Sequence, residues 1–198
     1  MSKPTKVTGV ILAGGLARRM DNQDKGLVNY QGQPLITYAI NAMRPLVDLL
    51  LINANRNIES YQQLGLPVVS DLNDNFDGPL AGILSAMQTI DSELLIVMPC
   101  DCPLITAEHL QKILLTRAEQ AADIAVAFDG ERLHSVLLVL KTDLQPSLAA
   151  YLTSGQRKVE SWLNLHKLVK VDFSAIPEIL INLNTMTELS ALEAKQLN

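Results

Sequence analysis

VTGVILAGGLARRMDNQDKG, residues 7–26, carries the pattern from which the architecture of this chain is inferred. Its apolar run Val10-Ile11-Leu12 meets Ala13-Gly14-Gly15, which is typical of a buried strand that runs into a glycine turn. Glycine lets a ligand approach the backbone and leaves N–H groups free to bind an anion. Three cations follow, among them Arg19 and Lys25, and add charge-assisted donors. The stretch predicts a polyphosphate site, with a tight βα turn and solvated basic side chains as the alternative.

Two familiar phosphate-binding motifs are missing from the sequence. It has no GxxxxGK[ST], which excludes a P-loop, and no GxGxxG, which excludes the dinucleotide fingerprint. A phosphate site in this chain must therefore use a different glycine loop.

Length and composition predict a single domain over residues 1–198. A chain of this size can bury a large core, and 48% hydrophobic with 19% charged residues is ordinary globular composition. The formal net charge of −5 leaves no broad basic field, so we expect no nucleic-acid partner. No apolar run approaches the roughly 20 residues that cross a bilayer, and no signal peptide is visible. We therefore expect a cytoplasmic protein without membrane contact.

Patterns of strands and helices alternate along the chain, which favours a three-layer, Rossmann-like α/β fold. Strands are predicted at about 7–13, 49–52, 67–69, 94–98, 124–128, 136–140 and 168–172. Helices are predicted at about 34–47, 58–64, from Pro79, after Thr106, at 143–153, at 156–165 and after a capping box at 185–188. The short turn at 129–132 joins antiparallel strands, so the sheet is expected to be mostly parallel with an antiparallel strand.

Asp101 is the strongest candidate for a catalytic carboxylate that holds a metal ion. In open α/β sheets, ligands bind at the carboxyl ends of strands where the strand order reverses, and Asp101 follows the strand expected beside the first one. A carboxylate there would repel a triphosphate unless a cation lay between them, and Mg²⁺ takes such oxygen ligands. Catalysis would then rest on positioning and charge stabilisation. A turn or helix cap is the alternative role.

Other polar residues leave two interpretations open. Asn53 and Asp71 each end a strand and could contact a ligand or only hold their own loops. Asn182 and Asn184 precede the last helix, where asparagine can serve the backbone alone. His134 follows a turn and could face a ligand or be structural.

The remaining histidines and the two cysteines are expected to be structural. We expect His109 and His166 to be structural or exposed, since neither has companion ligands for a metal. We expect Cys100 and Cys102 to be small buried residues.

Several motifs, in matching order over essentially the whole chain, carry a resemblance to a known family. The opening set resembles nucleotidyltransferases with the nucleotide-diphospho-sugar transferase fold: LAGG at 12–15, ARRM at 17–20 and DKG at 24–26. The rest make the chain similar to the molybdenum cofactor guanylyltransferases, the MobA family: NAN at 53–55, GPLAG at 78–82, PCD at 99–101, DGER at 129–132 and NLNT at 182–185.

This resemblance implies a reaction and its participants. The terminal phosphate of molybdopterin, or of Mo-molybdopterin, would attack the α-phosphorus of GTP in the presence of Mg²⁺. Pyrophosphate would leave, and a guanine dinucleotide form of the cofactor would remain. The resemblance leaves room for partners among the proteins of molybdenum cofactor biosynthesis and insertion, without identifying them.

The resemblance also implies roles for individual residues. Catalytic roles fall to Arg19, Lys25 and Asp101, with Asp101 as the magnesium ligand. Asn182 and Asn184 would lie on the pterin side or help to close the site. Nucleotide contacts are implied for Leu12, Ala13, Gly14, Gly15, Lys25, Asn53, Asp71, Pro79, Leu80 and Asp101.

Two positions depart from the family pattern, and three rival functions stay open. Asp21 replaces a glycine, and Leu133-His134-Ser135 replaces a His-Pro pair, which leaves the role of His134 open. The cytidylyltransferase acting on the same cofactor tends to lack the second glycine of LAGG and the GPLAG segment. Sugar-1-phosphate nucleotidyltransferases are usually longer. The third rival, a non-catalytic nucleotide-binding partner, is disfavoured by the intact Arg19, Lys25 and Asp101.

Overall fold

The computed structural model of the chain describes residues 5–14, 24–71 and 78–196. The strands are β1 (Val7–Leu12), β2 (Asn29–Tyr30), β3 (Gln33–Pro34), β4 (Leu49–Asn53), β5 (Val68–Val69), β6 (Leu94–Pro99), β7 (Ile124–Phe128), β8 (Leu133–Lys141) and β9 (Leu168–Asp172). The α-helices are α1 (Leu35–Met43), α2 (Ile58–Gln62), α3 (Pro79–Thr89), α4 (Ala107–Glu119), α5 (Gln145–Thr153), α6 (Val159–Leu163) and α7 (Met186–Gln196).

Seven strands form one sheet in the order β5-β4-β1-β6-β8-β7-β9. β8 runs antiparallel to both β6 and β7, whereas the other neighbouring strands of this sheet are parallel. The prediction of a mostly parallel sheet with an antiparallel strand is confirmed. The short strands β2 and β3 pair with each other in a separate hairpin.

The strand order reverses beside β1. β4 and β5 add to one side of β1, and β6 then lies on its other side. In register, Leu12 lies opposite Asn53 of β4 and Pro99 of β6. Three parallel strands therefore end together at the kind of edge where open α/β sheets bind ligands. The expectation that the first strand and the strand before Asp101 are neighbours is confirmed.

Each face of the sheet carries its own apolar core. Val10 and Val97 belong to one buried cluster, whereas Ile11 and Ile96 belong to the other, because successive side chains of a strand point to opposite faces. α1 and α4 cover the face of Ile11, and α3, α5 and α6 cover the face of Val10. Strands buried on both faces have continuous apolar sequences, which is why they could be recognised. The predicted three-layer α/β architecture is confirmed.

Two helices begin where capping residues predict. The N–H of Thr106 donates to Nδ1 of His109 at 3.1 Å at the start of α4. Before α7, the N–H of Glu188 donates to Oγ1 of Thr185 at 3.1 Å, and the N–H of Thr185 donates to the Glu188 carboxylate at 3.0 Å. The predicted capping box is therefore present, and His109 has a structural role.

Four α-helices are shorter than predicted. α2 ends two residues early, at Gln62, and α5 begins two residues late, at Gln145. The helix expected over 34–47 ends at Met43 and continues as a 3₁₀ turn, because Pro45 lacks the N–H that another α-helical bond needs. The helix expected over 156–165 begins at Val159, after an extended Lys158. Within the described ranges, no helix has both the length and the apolar character to span a bilayer.

Candidate functional site

A cavity of about 330 Å³, the first cavity, opens where β1, β4 and β6 end. Eight residues predicted from the sequence line it: Leu12, Ala13, Gly14, Lys25, Asn53, Asp71, Pro79 and Asp101. Five further lining residues were given no role in a site by the sequence: Asn55, Gly78, Pro99, Cys100 and Val136. The topology thus gathers side chains from loops that are far apart along the chain.

Asn53, Asn55 and Asp71 form one wall of the first cavity. Nδ2 of Asn53 donates to Oδ1 of Asp71 at 2.9 Å, and Nδ2 of Asn55 donates to Oδ2 of Asp71 at 2.8 Å. The N–H of Asp71 returns a bond to Oδ1 of Asn55 at 2.8 Å. Both carboxylate oxygens of Asp71 are therefore fixed by amides, so the residues hold their loops and line the cavity at the same time.

A glycine of α3 lets the helix approach this wall closely. A Cβ at Gly82 would lie 2.2 Å from Oδ1 of Asn53 and 3.1 Å from Cδ2 of Leu12. Asn53 is itself held by Asp71 and by the carbonyl of Val69 at 3.3 Å, so it has little room to move. The close packing gives a physical reason for the second glycine of the GPLAG segment.

Asp101 lies at the end of β6 with 7% of its surface exposed. Nζ of Lys25 donates to its Oδ2 at 3.1 Å, and Nδ2 of Asn182 donates to its Oδ1 at 2.9 Å. The N–H of Leu183 bonds to the carbonyl of Asp101 at 3.0 Å. Its carboxylate thus holds Lys25 and the segment before α7. The N-cap of the next helix is Thr106, so Asp101 does not have the alternative role of a helix cap.

A second cavity of about 440 Å³ adjoins the first, with which it shares Pro99 and Val136 as lining residues. Asn182, Asn184 and His134 line it, which places both asparagines predicted for the pterin side there. Lys25 connects the two cavities, because its Nζ also donates to Oδ1 of Asn184 at 2.5 Å.

Some predicted residues lie elsewhere. Leu80 is fully buried in the core under α3 and does not line the first cavity. Gly15, Arg19 and Asp21 lie outside the described residues. His166 bonds to Ser147 at 3.1 Å and is a structural histidine, as expected.

The two cysteines flank Asp101 and are buried and unbridged, as expected. Cys100 lines the first cavity and Cys102 lines the second. Burial raises the pKa of both thiols, with the charge of Asp101 as the next contribution. They are therefore neutral thiols at physiological pH, and they act as small apolar wall residues.

Asp24 is a residue whose role the sequence did not reveal. It is 6% exposed, and its carboxylate accepts from the Tyr61 hydroxyl and, at 3.0 Å, from Nδ2 of Asn57. Arg56 adds an ion pair at 3.6 Å. Asp24 also accepts from the N–H of Gly26 at 3.3 Å and caps the turn that carries Lys25. The position of Asp24 directly before Lys25 in the DKG motif is the signal that could have revealed it.

Comparison with known proteins decides the family. The model of the MobA-like NTP transferase domain matches residues 9–171. This chain belongs to the MobA-like NTP transferase family. A molybdenum cofactor guanylyltransferase of Shewanella sediminis is 44% identical over 180 residues, which cover 91% of this chain and 92% of that protein. Another, from a Shewanella species, is 42% identical over 191 residues, which cover 96% of this chain and 97% of that protein.

Solved structures share the fold of this family member. The molybdopterin-guanine dinucleotide biosynthesis protein A of Archaeoglobus fulgidus superposes with a TM-score of 0.76 at 20% identity, covering 96% of this chain and 98% of that one. The 4-diphosphocytidyl-2C-methyl-D-erythritol synthase of Anaerococcus prevotii gives 0.74 at 11% identity, covering 98% and 97%. The predicted nucleotide-diphospho-sugar transferase type of fold is confirmed.

We predict that Tyr61→Phe lowers the free energy of unfolding by about 2 kcal/mol, because it removes a donor from a buried carboxylate. Burial raises the pKa of the Tyr61 hydroxyl, which therefore stays protonated and donates to Asp24. Urea denaturation measures the change. Tyr38→Phe, whose hydroxyl donates to the neutral carbonyl of Tyr30 at 3.0 Å, is the control and should cost about 1 kcal/mol. An equal or smaller loss in Tyr61→Phe would contradict this account of Asp24.

We predict that Gly82→Ala weakens nucleotide binding by about tenfold, because the added methyl group displaces Asn53 from the cavity wall. Alanine favours a helix by about 1 kcal/mol over glycine, so the fold should survive. Titration with a fluorescent GTP analogue measures affinity. Gln88→Ala, exposed on the same helix, is the control and should bind normally. Normal affinity in Gly82→Ala would show that Asn53 can move without loss.

Proposed function

We propose that this protein transfers GMP from GTP to the terminal phosphate of molybdopterin, or of Mo-molybdopterin, and releases pyrophosphate. The observation that carries the proposal is the first cavity, which gathers eight predicted residues at the strand ends beside β1. The relatives are molybdenum cofactor guanylyltransferases, which supports the choice of guanine nucleotide and of acceptor. The product would be a molybdopterin guanine dinucleotide.

The first cavity would hold GTP. We infer that the backbone of Ala13 and Gly14 lies against the phosphates, since glycine at the end of a buried strand allows close approach. Lys25 would neutralise charge on the triphosphate and the leaving pyrophosphate. Asn53 and Asp71 would contact the nucleotide from the adjoining wall, since a Cβ at Gly14 would lie 3.5 Å from Oδ1 of Asn53. Pro79 would pack against the base.

Three further predicted residues have proposed roles that do not rest on the lining of the first cavity. Arg19 and Gly15 would lie at the triphosphate, as the resemblance to the family implies. Leu80 follows Pro79 in the sequence and is buried in the core. From there it would support Pro79, which packs against the base.

Asp101 would hold Mg²⁺. Its carboxylate lies on the first cavity, and hard oxygen ligands of this kind suit magnesium when substrate phosphates complete the shell. No group of three or more His, Cys, Asp or Glu side chains within the described ranges forms a complete metal cage, which fits an ion shared with the nucleotide. When bound, the metal would offset charge on the α- and β-phosphates. With nucleotide and metal bound, Lys25 would no longer donate to Asp101 and would bind the phosphates instead.

The second cavity would hold the acceptor. Asn182 and Asn184 lie on it and are tied to Asp101 and Lys25, so they would position the acceptor relative to the nucleotide. The reacting phosphate would then approach GTP across the shared wall of Pro99 and Val136.

We also propose the setting in which the protein works. Residues 1–198 would form one nucleotidyltransferase domain, because seven strands, from β1 near the start to β9 near the end, form one sheet and α7 packs on the segment around Tyr30. A cytoplasmic location would suit two unbridged thiols and a GTP-dependent enzyme. Contacts with other proteins of molybdenum cofactor biosynthesis and insertion would follow from the need to hand over a bound product.

The test of the proposed function is a direct assay. The purified protein is incubated with molybdopterin, Mg²⁺ and either GTP or CTP, and the dinucleotide is identified by mass spectrometry. We expect the guanine dinucleotide and one pyrophosphate per product. Preference for CTP would favour the cytidylyltransferase, and no product with either nucleotide would favour a non-catalytic role.

We predict that Asp101→Asn lowers GMP transfer by about 100-fold or more, because it removes the charge that binds the metal. Asparagine keeps an oxygen that can accept from Asn182, so the fold should persist in circular dichroism. The second measurement is GTP affinity with and without Mg²⁺, which should differ in the wild type and converge in the variant. Asp143→Asn, exposed at the opposite edge of the sheet, is the control. A variant that still binds GTP more tightly with Mg²⁺ would place the metal elsewhere.

A further inference from the structure

A carboxylate–histidine pair lies at the second cavity. Nε2 of His134 lies 2.8 Å from Oδ2 of Asp129, and both side chains are largely buried, with 10% and 14% of their surfaces exposed. The N–H groups of Glu131 and Arg132 donate to the other oxygen, Oδ1, at 2.9 and 2.8 Å. These backbone bonds, together with His134, hold the pKa of Asp129 well below its usual range.

The pair fixes which nitrogen of His134 faces a ligand. An ionised carboxylate only accepts hydrogen bonds, so the proton of His134 must be on Nε2. Nδ1 is then the ring nitrogen left for another partner, as an acceptor in the neutral ring. Asp129 therefore sets both the tautomer and the orientation of the imidazole.

The strand that carries His134 is irregular where it meets the second cavity. His134 pairs with Ala127, but the next pair along the ladder joins Val126 to Leu138, so residues 135–137 are skipped. Ser135 and Val136 within this bulge line the second cavity together with His134. Bulges of this kind commonly redirect side chains next to active sites.

The rest of the second cavity combines one cation with amides that already have partners. Arg132 lines it with a side chain that is 76% exposed. Nδ2 of Asn182 donates to Asp101, and Nδ2 of Asn184 donates to the carbonyl of Asn182 at 3.2 Å. Arg132 suits a phosphate and Nδ1 of a neutral His134 ring suits an N–H donor, so this lining fits a phosphorylated heterocycle that carries N–H groups.

We infer that His134 contacts the phosphorylated acceptor through Nδ1 and that Asp129 is a positioning residue acting through His134. The inference deepens the proposed function and rests on it, since the second cavity serves the acceptor only if the first holds GTP. His134 sets affinity for the acceptor and has no part in binding GTP, because it does not line the first cavity.

Two variants separate contact with the acceptor from support of the fold. His134→Gln keeps a donor near the Nε2 position for Asp129 but removes the Nδ1 group. Asp129→Asn keeps Oδ1 for both backbone N–H groups of the turn and replaces Oδ2, which faces Nε2 of His134 and also accepts from Nε of the exposed Arg132 at 3.3 Å. Steady-state kinetics with molybdopterin and GTP, each varied in turn, and the melting temperature are measured for both.

We expect each variant to raise KM for molybdopterin about tenfold, the effect of one well-placed hydrogen bond. KM for GTP should stay within about twofold, and the melting temperature should be that of the wild type. Because Asp129 acts through His134, the double variant should be no worse than His134→Gln alone. His166→Gln, a structural histidine next to Trp162, is the matched control and should leave both KM values unchanged.

Three outcomes would overturn the inference. One is a normal KM for molybdopterin in both single variants. Another is an equal rise in both KM values, which would indicate general damage. The third is a double variant whose effects multiply, which would give Asp129 an independent role. A wild type that transfers no GMP would instead refute the proposed function, and the inference with it, so the two failures are distinguishable.

Discussion

A carboxylate buried at the end of a strand must have its charge offset, because burying an unpaired charge costs several kcal/mol. Asp101 is that carboxylate, and the offset comes from Lys25, 76 residues earlier, and from Asn182, 81 residues later. These bonds draw the turn after the glycine loop and the segment before α7 to one point. Both cavities adjoin these bonds, so their relative position depends on the charge of Asp101.

The strand order supplies the scaffold for this arrangement. β1, β4 and β6 are parallel and end together, and each side of the reversal contributes an acidic loop, with Asp71 after β5 and Asp101 after β6. Close packing between α3 and Asn53 holds one wall of the first cavity in place. The antiparallel β8 adds part of the lining of the second cavity.

The sequence predicted the fold and the lining of the first cavity well, because those signals are local: apolar runs, glycine and proline at their ends, and acids just beyond. Leu80 shows where local motifs fail, since the helical period turns it to the core while Pro79 faces the cavity. The Asp24–Tyr61 bond and the Lys25–Asn184 bond could not be predicted, because they join residues 37 and 159 positions apart. Only the folded sheet determines which distant polar groups meet.

The bulge in β8 has a consequence for how such enzymes diverge. Residues 138–141 pair with β6 and thereby commit their backbone to the sheet, whereas residues 135–137 are skipped by the ladder with β7. Substitutions in the skipped stretch change the shape of the second cavity without breaking a ladder bond to β7. The wall of the first cavity has no such freedom, since Asn53, Asp71 and Gly82 constrain one another. Under the proposed function, the acceptor site can therefore diverge on this scaffold while the nucleotide site stays the same.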